Sequence, residues 1–300
     1  MPGAISSSTA VDLSRLPPPR IVEPLDYETI LAAMTADLAA RDPGLADLGD
    51  ADPAIKVLQV AAYRELLLRQ RVNEACRAVM IAYAAAGDLD QLAAVFGVTR
   101  LEIAPANPQT GTPAIVETDD ELRRRILLAP ESYSVAGPTG AYRFHALSAD
   151  PDVRDANAVS PAPGDVVVAV LSRSGDGTPA ADVLAAVEAR VSGDTVRPLT
   201  DRVTVVAADL VAFDVEATLH LYAGPDAALI EASARTALQA FLERERAIGR
   251  DIPMSAIIAA LHVGGVHRVD LTTPVADIVV SPVQAPAPGA IALALQVTGE

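Results

Sequence analysis

The run Val166-Val167-Val168-Ala169-Val170-Leu171 is apolar at every position. Side chains of a strand alternate between its two faces, so a run that is apolar on both needs cover on both. The flanking residues, 134–179, are laid out around that demand. A Gly137-Pro138-Thr139-Gly140 turn leads into a helical pattern carrying Tyr142, Phe144 and Leu147, which breaks at Asp150-Pro151 before two strand-like runs. A helix followed by a hairpin is predicted, with the second strand inside a sheet. Residues 172–177, SRSGDG, then form a polar turn into a helix at Pro179. They follow a strand and carry glycine, but they lack both the GxGxxG spacing and the lysine of a phosphate loop.

Upstream, residues 1–24 are small, polar and stiffened by Pro17-Pro18-Pro19, the composition of an extended arm laid against a neighbour. Residues 25–41 form an amphipathic helix with Ile30, Leu31, Met34 and Leu38 grouped, stopped by Asp42-Pro43-Gly44. The next helix is longer. Asp52 is its N-cap and Pro53 its first residue, and no breaker follows before Gly87. Val57, Ala61, Leu68, Val72, Ala75, Val79 and Ala82 mark one seam at helical spacing, while Tyr63, Leu66, Leu67 and Tyr83 cover other faces. A helix apolar on that many sides needs several partners. Arg64, Glu65, Arg69, Arg71, Glu74 and Arg77 exclude a membrane span. The preferred reading is a bundle shared between chains, with Leu58, Leu66, Leu68, Val72, Val79 and Tyr83 as partner-binding residues; the core helix of an ordinary bundle is the alternative. Cys76, the single cysteine, sits on this helix as a small hydrophobe and permits no intrachain disulfide.

Gly87 is expected to end the long helix and Asp88 to cap a short one, with Gln91 at the capping-box position and Leu92, Val95 and Phe96 on its apolar side. Residues 100–118 are Pro/Thr/Asn-rich and make the clearest boundary. Beyond it, Thr118 and the acidic Asp119, Asp120 and Glu121 open a helix running to Ala129-Pro130, and Arg123, Arg124 and Arg125 point to different sides of it as surface charges. A helix over 179–191 turns Val183, Leu184 and Val187 inward, and residues 203–207 read as a strand. Residues 213–221 alternate cleanly, with Phe213, Val215, Ala217, Leu219 and Leu221 on one face and Asp214, Glu216, Thr218 and His220 on the other. Helices from Pro225 to 247 and over 254–263 follow, then strands over 266–271 and 291–297. An internal echo links VRDANAVSP and APGDVVVAVLSRSGD to VHRVDLTTP and APGAIALALQVTGE, as if a helix-plus-hairpin unit occurred twice.

The fold class is therefore α+β: an N-terminal helical region followed by two small mixed α/β units with antiparallel hairpins. The domains are an extended arm (1–24), a helical docking region (25–100), a linker (101–118), a middle α/β domain (119–209) and a C-terminal α/β domain (210–300).

Net charge is −16 with a pI near 4.6, which excludes a nucleic-acid binder resting on Lys and Arg. Lys56 is the only lysine, and arginine's planar fork suits carboxylates, hence protein contacts. The N-terminus lacks a signal peptide's basic end and apolar run, and no stretch is long enough to span a bilayer, so cytoplasmic synthesis without membrane insertion is expected. A catalytic reading finds four histidines, His145, His220, His262 and His267, with the last two flanking a Gly-Gly turn. No HExxH, GxSxG or phosphate loop accompanies them. Asp119-Asp120 and the pair Glu243 and Glu245 sit on helical surface patterns. No catalytic, cofactor or metal residue is assigned.

Three segments in one order, GDLDQLAAVFGV at 87–98, the 134–179 stretch and VRPLTDRVTV at 196–205, resemble the baseplate J-like family, from residue 25 onward. That family supplies wedge subunits to the baseplates of contractile phage tails and related injection machines. The resemblance implies a structural, non-enzymatic protein. Copies of it would form a ring around a central hub and spike and help trigger sheath contraction. Implied partners are copies of itself, a tail protein of the I type and a lysozyme-like, sheath-initiating wedge subunit, with the helices before the boundary docking to wedge components. Two other readings stay open on residues alone: an intracellular α/β enzyme using His145 or the His262/His267 pair, and an oligomeric scaffold unrelated to tails.

Overall fold

The computed structural model describes Leu13, Pro17, residues 19–224 and residues 226–297. Most of the arm expected over 1–24 therefore lies outside the described residues, as does Pro225. Eight α-helices and eight strands occur among the described residues, a mixed α+β fold as the sequence predicts. The chain divides into two compact units, one over Val11–Thr99 and the other from Arg100 onward.

The first unit holds α1 (Tyr27–Arg41), α2 (Pro53–Ala78) and α3 (Ala86–Val95). Asp26 caps α1 by accepting from the Thr29 N–H, and Asp42 turns the chain out of it by accepting from the Gly44 N–H. Asp52 and Pro53 open α2 as expected, the carboxylate accepting from the Ala54 N–H at 2.8 Å. Asn73, buried on α2, exchanges two hydrogen bonds with the Glu23 backbone (3.0 and 2.9 Å), which pins the segment before α1 onto α2.

Two expectations here are corrected. The long helix stops at Ala78 rather than at Gly87, because the chain turns at Val79: the Met80 N–H donates to the Arg77 carbonyl, and the Tyr83 and Ala84 N–H groups both donate to the Met80 carbonyl. The turn tucks Ala84 into the interior, a tertiary gain that no breaker residue announces. The short helix starts at Ala86, so Gly87 lies inside it and Asp88 falls in its first turn instead of at its cap. That start turns Leu89 and Ala93 inward and leaves Val95 at the surface.

The second unit opens with a ribbon of β1 (Glu102–Ala104) and β2 (Ile115–Val116), whose loop is closed by the Asn107–Thr112 bridge. The Asn107 side chain shapes that loop by accepting from the Gln109 N–H. Then come α4 (Asp119–Leu128), α5 (Thr139–Leu147), β3 (Val153–Ala162), β4 (Asp165–Ser172), α6 (Ala181–Val191) and β5 (Arg202–Ala207). The sheet order is β3-β4-β5, with β3 and β4 an antiparallel hairpin and β5 parallel to β4. β4 is central and has the two-sided cover its composition demands. Val166, Val168 and Val170 pack with Tyr142, Val183, Val187 and Val191, while Ala169 and Leu171 meet Ala208, Ile248 and Ala285 on the other face.

The last part holds β6 (Asp209–Leu221), α7 (Ala227–Glu245), α8 (Met254–Leu261), β7 (Val266–Thr273) and β8 (Gln284–Val297). Its sheet order is β7-β6-β8, with β7 antiparallel and β8 parallel to β6. Phe213, Val215, Ala217, Leu219 and Leu221 are buried with Ile230, Ala234, Leu238, Ile257 and Leu261. The internal echo does not survive as a repeated hairpin: its first copy pairs β3 with β4, but in the second, β7 and β8 lie on opposite sides of β6. What the two sheets share is a central strand with one antiparallel and one parallel neighbour. β8 also starts seven residues before the predicted strand, at Gln284, and passes through Pro286 and Pro288. Proline lacks a ladder donor, and an edge strand is where a sheet tolerates it.

β3 also fastens these two sheets together. Arg154 Nε donates to the Arg246 carbonyl at 3.0 Å, and its guanidinium reaches the Glu243 side chain and carbonyl at the end of α7. Asp155 accepts from the Ile248 N–H and Asn157 donates to the Pro282 carbonyl, each at 2.8 Å.

Candidate assembly surface

α2 is 26 residues long and buries only Ile55, Ala62 and Asn73. At 3.6 residues per turn those three lie on one side, and Val57, Val60, Leu68, Val72 and Ala75 lie on the opposite one. That opposite side is exposed: Val57 and Leu68 are each 68% accessible, Val60 62% and Val72 56%, and Val79 just past the helix is 69% accessible. The seam read from the sequence is thus the outward face of α2. Of the partner-binding residues picked from sequence, Leu68, Val72 and Val79 stand on this surface. Leu58 and Leu66 are half-buried on the side of Ile55 and Ala62, and Tyr83 is half-buried beyond the helix. Val60 was missed, although its place three residues after Val57 continues the stripe.

Two guanidinium groups, Arg64 and Arg71, lie on the same outward face one heptad apart. Neither makes an ion pair or a hydrogen bond among the described residues. Arg69, on the flank, is engaged by Glu65 at 2.7 Å and Glu23 at 3.1 Å.

The histidines are not drawn into one site. His145 lies in the last turn of α5 with its Nδ1 buried and without a hydrogen-bond partner; burial, then nearby Arg190, holds its pKa below the ordinary imidazole value. His220, expected on the wet face of β6, is buried by its neighbours on β7: its Nε2 is 2.7 Å from Asp270, which also accepts from Arg268 at 2.7 Å. His262 is the C-cap of α8, and the His267 ring stands edge-on to Tyr222. Among the described residues, no group of three or more His, Cys, Asp or Glu side chains is placed to hold a metal ion. Arg125, expected at the surface, is buried and paired with buried Glu117 at 2.7 Å. Its helical neighbours Leu122, Ile126 and Leu128 face the core and carry it inward.

Family comparisons follow the same chain order. The sequence matches the baseplate J-like N-terminal domain over residues 50–107, the baseplate J-like central domain over 134–207 and the C-terminal domain of baseplate J-like proteins over 213–294. It is 46% identical over 284 residues to baseplate protein J of Escherichia phage P2, an alignment covering 92% of this chain and 94% of that one. The chain belongs to the baseplate J-like family. Among solved structures, a chain of the cryo-EM structure of the anti-feeding prophage baseplate, six-fold symmetrised, is similar at 15% identity and a TM-score of 0.40, over 59% of this chain and 42% of that one. This baseplate J-like protein is a structural subunit of a baseplate, built into the particle with other baseplate proteins. α2 and α3 fall within its N-terminal family domain. No helix among the described residues is long and apolar enough to cross a membrane.

Proposed function

We propose that this chain is a non-enzymatic wedge subunit, made in the bacterial cytoplasm, whose α2 seam docks to other wedge components while the α/β domains after residue 119 close a ring around the central hub and spike. The single observation that carries this reading is the outward apolar face of α2. These large side chains are more than half exposed, so each forgoes about 1–2 kcal/mol of burial free energy, and an exposed apolar patch that is contiguous along one helix marks a contact surface. The partners that fit are copies of the chain, a tail protein of the I type and a lysozyme-like wedge subunit. The same interfaces would hold the ring closed and then yield when it widens to release the sheath, a change between two packed arrangements rather than a gradual deformation.

The test is the double variant Leu68→Asp/Val72→Asp in the full chain. Both positions are exposed, so the unfolding free energy should change by no more than the small amount expected of surface changes, about 0.5 kcal/mol each. Incorporation into baseplates, read by electron microscopy and by mass of the purified particle, should be lost. A variant that still enters particles at the normal level would refute the docking assignment.

A further inference from the structure

We infer that the two parts of the second unit that match separate family domains, residues 134–207 and 213–294, are one cooperative folding unit, clasped by a pair of arginines that reach across their joint in opposite directions. The joint has no slack. β5 ends at Ala207 and β6 begins at Asp209, so a single residue lies between the two sheets. That residue, Ala208, is buried, and its N–H donates to the Val170 carbonyl of β4 at 2.8 Å, while the Asp209 N–H donates to the Val283 carbonyl just before β8 at 3.1 Å. The connection is thus hydrogen-bonded to both sides.

Contacts between domains of one chain ordinarily permit relative motion unless they are large and apolar. Here the second face of a central strand depends on the contact. Ala169 and Leu171 of β4, neither of them reached by solvent, pack with Ile248 and Ala285 from beyond the joint, and Leu210 and Val283 add to the same cluster. Parting the two sheets would put that face of β4 in water. The arginines close the rim of this contact. Arg154 leaves β3 with its side chain 18% exposed, and a guanidinium so far out of water needs acceptors. Its acceptors, the Arg246 carbonyl and the side chain and carbonyl of Glu243, all lie beyond the joint. Arg246, with its side chain 15% exposed, reaches the other way, onto the 172–177 turn. A Cβ on Gly177 would stand 2.8 Å from Arg246 Nη2 and 2.9 Å from Leu171 Cδ1. The glycine of that turn therefore makes room for the guanidinium of the neighbouring sheet's helix end, and its φ of +107° is one that a side chain disfavours.

The test is hydrogen exchange of the full chain, read by mass spectrometry on peptides covering β4 and β6. Leu238→Ala removes a fully buried side chain of α7 that packs with β6. It should lower the protection of the slowest amides in both strands by the same factor, about thirtyfold or more. A loss confined to β6, with β4 unchanged, overturns the inference. If the larger gap prevents folding, Ile257→Val, a smaller deletion in the same core, gives the same reading at about threefold or more. The clasp is tested by Arg154→Met/Arg246→Met, which keeps most of each aliphatic stem and removes both forks. The slowest amides of β4 and β6 should then differ in protection by about tenfold or more, as two separate openings. Protection that stays matched in that variant overturns the role of the arginines. Neither measurement involves α2, so the docking reading stands or falls separately.

Discussion

At the scale of single residues, the entry to α4 holds two carboxylates four residues apart whose pKa values are pushed in opposite directions. Thr118 and Glu121 form a full capping box, and Glu121 also receives Arg173. Burial alone would raise the Glu121 pKa, but the hydrogen bonds from Arg173 and from the Thr118 backbone and hydroxyl outweigh it, and the value is lowered. A lowered folded value gives stability that is present above the unfolded carboxyl pKa, about 4.3, and is lost as pH falls through the folded one. Glu121→Gln should therefore be less stable at pH 7 and lose less on acidification, a flatter acid limb in urea titrations between about pH 5 and 3. Four residues earlier, Glu117 is pushed the other way by burial, and its partner Arg125 is lowered by the same loss of water. Removing one member of such a pair strands the other. Arg125→Met should cost roughly 3–5 kcal/mol in urea denaturation, far more than a surface arginine would. The capping box was legible as an acidic start, but Arg125 was not. Three adjacent arginines look alike in sequence, and only packing of the Leu122 and Ile126 side shows which is inside.

At the scale of elements, what could be read was each strand's relation to water, and what could not was its neighbour. β4 announced two covered faces and β6 one, and both have them. The parallel partners β5 and β8 left no trace in periodicity, because parallel pairing joins segments far apart in the chain whose own patterns are unchanged by it. The overrun of α2 has a related cause: residues 79–83 are apolar and free of breakers, so the stop lies in the burial of Ala84 rather than in any residue's backbone preference. Loops can be decisive where a glycine is required. Gly137 has φ +74°, and a Cβ there would stand 2.8 Å from Pro198 Cγ and 3.0 Å from Asp201 Oδ2. The same Asp201 accepts from the Tyr142 hydroxyl at 2.8 Å, tying α5 to the loop before β5. Gly137→Ala should cost at least about 1–2 kcal/mol from the left-handed backbone alone, measured as a loss of unfolding free energy.

At the scale of the whole molecule, surplus apolar surface is concentrated on one helix of the first unit, while the two three-stranded sheets of the second find cover for their apolar faces within the chain. That asymmetry makes a prediction for a shortened chain. A fragment beginning at residue 101 keeps both sheet cores, so it should unfold cooperatively by calorimetry and stay soluble, yet fail to co-purify with wedge components. Co-purification would place the docking surface elsewhere. The candidate surface was the most legible part of the sequence, since a seam at helical spacing survives without knowledge of the fold. Its sidedness was not: Leu58 and Leu66 differ from Leu68 only in which way the helix is turned.

The fastening of α7 by β3 gives the hairpin a second duty. Arg154, Asp155 and Asn157 all reach across from one strand, and the alignment of that strand is fixed at its far end, where Gly164 takes φ +81° beside the Thr200 carbonyl. Sliding β3 by one position would swap which side chains look toward the last domain, and all of these grips would let go at once. A tight bend on one sheet thus sets the latch for its neighbour.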